Sequence, residues 1–171
     1  MKYKMIVMDL DGTLVRRNGA ISLFTTKVIK DAYQQGFIIM IATGRTYEMA
    51  KSSISFPFHA IACMNGAMTY NEGVLVDEVE FTYDNLHLMT DFFNSKKMHS
   101  VDFIANLYEI DRSEIVAFGD ADNDMEMIKN CGLGIAVKNA IPKLIEVADY
   151  VCLSNRKDGV ARYIKENLLK R

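Results

Sequence analysis

Two hydrophobic rhythms alternate along this chain. Short runs of consecutive apolar residues occupy 3–10, 37–42, 60–64, 115–118, 133–137 and 150–153. Between and after them lie segments whose apolar positions recur at helical spacing, at 22–35, 46–53, 83–95, 98–108, 122–130, 140–147 and 159–170. The short runs do not alternate apolar with polar residues, as expected of strands buried on both faces of a parallel sheet. Gly36 stands where a helix C-cap is needed, and Pro142 falls in a helix's first turn, where its missing N–H costs little. Strand and helix in alternation predict an α/β fold, a Rossmann-like, doubly wound parallel sheet with helices on both faces. Residues 67–96 break the alternation. Ala67-Met68-Thr69-Tyr70, a turn at Asn71-Glu72-Gly73, and Val74-Leu75-Val76 predict a hairpin. An amphipathic helix follows, with Leu86, Met89, Phe92 and Phe93 on or near one face, a stripe read as core or interface packing.

A doubly wound sheet binds its ligands at the carboxyl ends of its strands, and the unusual polar residues sit there. Asp9-Leu10-Asp11-Gly12-Thr13 closes the first apolar run. Carboxylates two residues apart at a strand tip point the same way, repel one another, and need a cation or a proton between them. That arrangement suits a nucleophilic carboxylate with a neighbouring acid/base and a hard metal ion. Taken alone, the segment also fits an Asx turn leaving a strand. Gly119-Asp120-Ala121-Asp122-Asn123-Asp124 closes the run at 115–118, with Asp124 one helical turn beyond Asp120. Two acidic clusters at two strand ends are hard to explain as turns. Thr43-Gly44-Arg45 follows the run at 37–42, where a hydroxyl and backbone N–H groups at a helix start form an anion site and Arg45 adds a charged fork. The plainer alternative is Thr43 as an N-cap and Arg45 as a solvated side chain. Lys96-Lys97 looks like a surface pair.

Composition narrows the partners. The 171 residues fit one domain, 1–171, with a sizeable core, and a net charge of −2 gives no general attraction to nucleic acid or anionic membrane. Cys63, Cys131 and Cys152 are far apart with no CxxC, which suggests buried reduced thiols. His59, His87 and His99 have no metal-ligand spacing. Lys2 and Lys4 lead straight into Asp9 without a signal peptide, and no apolar run spans a bilayer, so the cytoplasm is the expected compartment.

With these residues in view, the chain resembles the haloacid dehalogenase-like hydrolases, in their Cof-type sugar-phosphatase branch. The matching motifs run nearly end to end and in order. They are Asp9-Leu10-Asp11-Gly12-Thr13-Leu14, Ala42-Thr43-Gly44-Arg45, Lys97 at the third-motif position, and Gly119-Asp120-Ala121-Asp122-Asn123-Asp124. Asn65-Gly66-Ala67, and the tail from Gly132 through Ala148-Asp149-Tyr150-Val151 to Asp158-Gly159-Val160, look specifically Cof-type. The resemblance implies a Mg²⁺-dependent phosphatase acting on a small phosphorylated metabolite. Asp9 would be the nucleophile and Asp11 the acid/base. Asp9, Asp120, the backbone carbonyl of Asp11, and Asp124 directly or through a water would hold the metal. Thr43, Gly44 and Lys97 would hold the phosphoryl group, with Arg45, Asn65 and Asn123 toward substrate. A phosphotransferase such as a phosphomutase, or a non-catalytic binding homologue, are the alternatives. Dehalogenases lack the Asp11 equivalent.

Two departures stand out. Met98 occupies a position where this branch usually has glycine. Residues 67–96 also replace the large α/β cap that this branch normally inserts there, the part that closes over the site and selects substrate. A naturally cap-poor enzyme, an engineered deletion and a degenerate homologue each fit; in the first case a second copy of the chain could cover the open site.

Overall fold

The computed structural model describes residues 2–79 and 89–170, with the backbone alone over 89–95. Eight strands form one sheet, β1 (Met5–Met8), β2 (Ile38–Ala42), β3 (Ala60–Cys63), β4 (Met68–Asn71), β5 (Val74–Glu78), β6 (Ile115–Gly119), β7 (Leu133–Val137) and β8 (Tyr150–Cys152), in the order β5-β4-β3-β2-β1-β6-β7-β8. β3-β2-β1-β6-β7-β8 are mutually parallel, and the hairpin β4-β5 adds two antiparallel strands at one edge. The strand order reverses at β1, which pairs with β2 on one side and β6 on the other. That reversal opens a crevice at the carboxyl ends of β1 and β6.

The helices are α1 (Leu23–Gln34), α2 (Tyr47–Ser53), α3 (Met89–Leu107), α4 (Met125–Asn130), α5 (Pro142–Val147) and α6 (Gly159–Tyr163). α1 packs on α6, while α4 packs between α3 and α5. Right-handed crossovers place these two groups on opposite faces of the sheet. All four residues of β1 are fully buried, which is why its sequence shows no polar alternation. Cys63, Cys131 and Cys152 are buried free thiols, and burial pushes each up to about 12, so they are inert as nucleophiles.

Two local outcomes differ from the sequence pattern. The first strand is shorter than the run at 3–10, because the amides of Leu14 and Val15 both donate to the Leu10 carbonyl and curl the chain into a loop. The helix expected at 98–108 is the C-terminal part of the longer α3, which already begins at Met89. Asn94-Ser95-Lys96-Lys97 holds no glycine or proline to break it. Residues 80–88, where the other predicted helix starts, lie outside the described residues, as do the side chains of the Leu86–Phe93 stripe. The hairpin forms as expected, closed by Glu72 and Gly73 with φ of 50° and 81°. Positive φ at both turn residues is the hairpin geometry that matches strand twist. Among the described residues no helix is long and apolar enough to cross a membrane.

Candidate active site

Met8 pairs with Phe118 at the tips of β1 and β6, and the Asp9 amide extends that ladder to the Phe118 carbonyl at 3.1 Å. The register therefore brings the two acidic segments side by side. Carboxylate oxygens of Asp9, Asp120 and Asp124 lie within 4.8 Å of one another. Gly12, with φ of 89°, lets the loop after Asp11 pass against Asp120, where a Cβ would collide with the carboxylate. Thr13 Oγ1 donates to Asp120 Oδ1 at 2.8 Å, so the first loop also orients the second cluster.

Lys97 is fully buried and reaches this group from α3. Its Nζ donates to Asp9 Oδ1 at 2.8 Å and to Asp124 Oδ1 at 2.7 Å. Asp124 Oδ2 accepts from the amides of Asp120 and Ala121 at 2.9 and 3.1 Å, which fixes its rotamer. Gly66, with φ of 93°, is what lets α3 come close enough. A Cβ there would strike the backbone of Lys96, one residue before the buried lysine.

Three carboxylates therefore surround one ammonium. Burial pushes the Asp9 carboxyl up to about 7; Lys97 pulls it down, and Asp124 and Asp120 push it up. Burial raises Asp120 as well, against its bond from Thr13. Burial by itself works against the Lys97 ammonium, but the charges of Asp9 and Asp124 outweigh it and hold Lys97 above the ordinary lysine value. With all three carboxylates ionised, two negative charges remain unbalanced. An all-oxygen donor set with that excess fits a hard divalent cation such as Mg²⁺.

Asp11 is not part of this cluster. Its carboxylate is over half exposed and accepts a two-pronged bond from Arg45, from Nε at 2.7 Å and from Nη2 at 2.6 Å. Arg45 Nη1 donates to Ser53 Oγ at 2.6 Å, so the guanidinium is braced from α2 rather than solvated. Its proton affinity rises through the bond to Asp11. Thr43 is fully buried, and its Oγ1 accepts from the Arg45 amide at 3.2 Å. Asn65 sits at φ 56°, a left-handed conformation that asparagine tolerates. Its Oδ1 accepts from Asn123 Nδ2 at 2.8 Å and lies under exposed Gly44, where a Cβ would come within 3.3 Å of it. The structure thus brings buried Asp9, Asp124 and Lys97 together with half-buried Asp120 in one group, with Asp11 and Arg45 in a second and Asn65, Asn123 and Gly44 in a third.

Several supporting contacts were not expected from the sequence. Asn139 Nδ2 donates to the Gly12 carbonyl at 2.8 Å, and Asn139 Oδ1 accepts from the Asn155 amide at 2.9 Å. Asn155 Nδ2 donates to the Val15 carbonyl at 2.9 Å. Asp158, with φ of 55°, accepts from Arg16, Ser22 and Thr25. Residues after β7 and β8 therefore fasten the loop that carries Asp11. Their position beyond strand carboxyl ends was the available signal.

The family model for haloacid dehalogenase-like hydrolases matches residues 6–99 and 93–164. A Bacillus subtilis 5-amino-6-(5-phospho-D-ribitylamino)uracil phosphatase, YitU, is 43% identical over 63 residues, 37% of this chain and 23% of that enzyme. A phosphoglycolate phosphatase of Methanothermobacter thermautotrophicus is 24% identical over 217 aligned positions covering 95% of this chain and 97% of that one. The chain thus spans about a quarter of the length of the first relative. The second alignment is longer than this chain itself, so that relative carries segments absent here. Among solved structures, a haloalkanoate-superfamily phosphatase from Bacteroides thetaiotaomicron superposes with a TM-score of 0.82 at 18% identity, covering 95% of this chain and 94% of the other. A haloacid dehalogenase-like hydrolase from B. subtilis superposes with 0.80 at 18%, covering 96% and 100%. These two likenesses establish the fold.

Proposed function

The chain belongs to the haloacid dehalogenase-like hydrolases, and we propose that it is a Mg²⁺-dependent phosphatase of small phosphate monoesters. The observation that carries this reading is the buried Asp9–Lys97–Asp124 group beside Asp120, with its unbalanced negative charge at the switch point of the sheet. The relatives' names, a phosphoglycolate phosphatase and a ribitylaminouracil-phosphate phosphatase, both denote hydrolysis of a phosphomonoester.

On this reading Asp11 enters the first step as the protonated acid, out of the two-pronged bond that its carboxylate makes with Arg45; an Asp9 oxygen attacks phosphorus and the bond to the leaving oxygen breaks, while Asp11 gives that oxygen its proton. Asp11, now ionised, takes a proton from the incoming water. The water oxygen bonds to phosphorus, the bond from phosphorus to Asp9 breaks, and inorganic phosphate leaves. Thr43 Oγ1 donates to a phosphoryl oxygen, and Lys97 balances the charge that develops there. Arg45 holds Asp11 in place between the two steps. Asp9, Asp120, the backbone carbonyl of Asp11, and Asp124 directly or through a water would hold Mg²⁺, which would neutralise charge on the transferring phosphoryl group. Only residues 79–88 separate β5 from α3, and β4-β5 belongs to the core sheet.

The direct test is phosphate release from p-nitrophenyl phosphate with Mg²⁺ and with EDTA. Turnover confined to the Mg²⁺ sample is expected; none in either, with the fold intact, overturns the reading. Release of an isomerised phosphosugar without free phosphate would instead mark a phosphotransferase.

A binding measurement checks the cation site separately. The metal-free fold holds the Asp9 proton up to about pH 7, whereas an unfolded aspartate releases it near 3.8. The folded state therefore binds more protons across that window, and the metal-free protein loses stability as pH rises through it. Mg²⁺ needs the ionised carboxylates, so its stabilisation grows over the same range. At a hundredfold excess over Kd it is worth about 2.7 kcal/mol, or roughly 5–10 °C in thermal midpoint for a chain of this size. We expect that shift at pH 8 and little of it at pH 5; equal shifts at both pH values would remove Asp9 from the site.

A further inference from the structure

A cleft of about 300 Å³ opens beside Asp11, and three arginines, Arg16, Arg17 and Arg45, are among the residues that line it. Asn155 and Gly19 complete its wall. We propose that this cleft binds a second acidic group on the leaving-group portion of the substrate, so that the preferred substrates are phosphomonoesters that also carry a carboxylate or a second phosphate. The inference rests on the phosphatase reading above, in which Asp11 protonates the leaving oxygen. Whatever is attached to that oxygen then extends past Asp11, and the cleft begins at Asp11.

Charge and hydrogen-bond geometry support an anion there. Asp11 is the one carboxylate in the wall, against three arginines. Arg45 is held by Asp11 through Nε and Nη2 at 2.7 and 2.6 Å and by Ser53 through Nη1 at 2.6 Å, which fixes one edge of the cleft. Arg16 Nη2 donates to both oxygens of Asp158 at 2.7 Å, which anchors its guanidinium at the cleft edge, and its Nε is buried without an acceptor among the described residues. Arg17 is exposed and pairs with no carboxylate among the described residues. A solvated arginine with no role would point anywhere; this one shares a concave wall with two guanidiniums that are fixed by neighbouring side chains. Asp11 and Asp158 already offset Arg45 and Arg16, which leaves Arg17 as the cleft arginine with no carboxylate partner among the described residues, and an acidic group on the substrate would supply one.

The test compares substrates matched except for charge. 3-Phosphoglycerate differs from glycerol 3-phosphate by a carboxylate in place of a hydroxymethyl group, and fructose 1,6-bisphosphate differs from fructose 1-phosphate by a second phosphate. The expected result is a kcat/KM at least about tenfold higher for the acidic member of one or both pairs at low salt, carried mainly by KM. The preference should fall as NaCl is raised past 0.3 M. Whichever pair shows it identifies the acidic group. In Arg17→Gln the ratio within that pair should drop about fivefold, the scale of one partly exposed ion pair, and in Arg17→Glu it should fall further or invert. Equal kcat/KM within both pairs, or a ratio unmoved by either Arg17 variant, overturns the proposal while p-nitrophenyl phosphate turnover still upholds the phosphatase. Loss of turnover on every ester, p-nitrophenyl phosphate included, strikes the phosphatase reading instead.

Discussion

Asp9→Asn abolishes phosphate release, by about 10⁴-fold or more, and at the same time raises the thermal midpoint of the metal-free protein at pH 8. The first effect follows because an amide oxygen cannot form and release the aspartyl-phosphate. The second follows from the same geometry. Burial pushes the proton affinity of Asp9 up, Lys97 opposes it, and Asp124 and Asp120 crowd it further. A neutral side chain of the same shape still offers Lys97 an oxygen and presents an N–H₂ group to the acidic neighbours. One of the two unbalanced charges disappears. Calorimetry in EDTA and a discontinuous phosphate assay check both halves on one preparation. The gain should vanish at pH 5, where wild-type Asp9 is already protonated, and the Mg²⁺-induced shift should shrink because a ligand is gone. Turnover above a hundredth of wild type would mean that another group attacks phosphorus. A lower midpoint in EDTA would mean that the Asp9–Lys97 pair outweighs the crowding.

What the sequence disclosed and what it hid divide along a physical line. The parallel strands were legible because burial on both faces leaves uninterrupted apolar runs, and β7 at Leu133–Val137 carries the boundaries that its run suggests. Asp9, Asp120 and Thr43 were legible because a doubly wound sheet gathers its chemistry at strand ends, and each of these follows one. By its local pattern Lys97 was one half of a surface-looking Lys-Lys pair, and only the family resemblance singled it out. Its burial depends on Gly66 admitting the α3 backbone, a contact between residues some thirty positions apart that periodicity along one helix cannot express. The bonds from Asn139, Asn155 and Asp158 to the Asp11 loop join residues more than 120 positions apart and were equally out of reach. The spacing predicts that the Asp9 and Asp11 carboxylates point the same way and crowd one another, yet the partner of Asp11 is Arg45 rather than the acidic cluster. Which of two neighbouring carboxylates faces the cation and which faces the guanidinium is decided by a loop conformation, not by spacing.

Lys97→Met is the complementary case, and its expected result is a large loss of stability. Methionine keeps the length and the apolar stem but removes the ammonium. Asp9 and Asp124 each lose a charged bond of 2.7–2.8 Å in a site with almost no solvent. Removing one partner of a buried ion pair costs about 3–5 kcal/mol, because the charge left behind has neither water nor counter-ion. For a domain of this size that is on the order of 10 °C or more in thermal midpoint. The loss has a definite pH sign. Without Lys97 the remaining carboxylates bind protons more tightly than in the unfolded chain, so the deficit is greatest above pH 7 and narrows toward pH 5 as they protonate. Adding Asp9→Asn to Lys97→Met should recover much of the deficit, since the pair no longer contains an uncompensated charge there; the two substitutions are then strongly non-additive. Additive effects, or a Lys97→Met midpoint within a degree of wild type in EDTA at pH 8, would show that the lysine does not hold this site together. A buried ion pair is a costly way to stabilise a core, and replacing both partners with apolar groups would serve stability better. Its presence beside a third carboxylate makes sense only if the ionised groups are needed for chemistry. The instability expected of Lys97→Met therefore measures the charge that the fold keeps ready for a cation and a phosphoryl group.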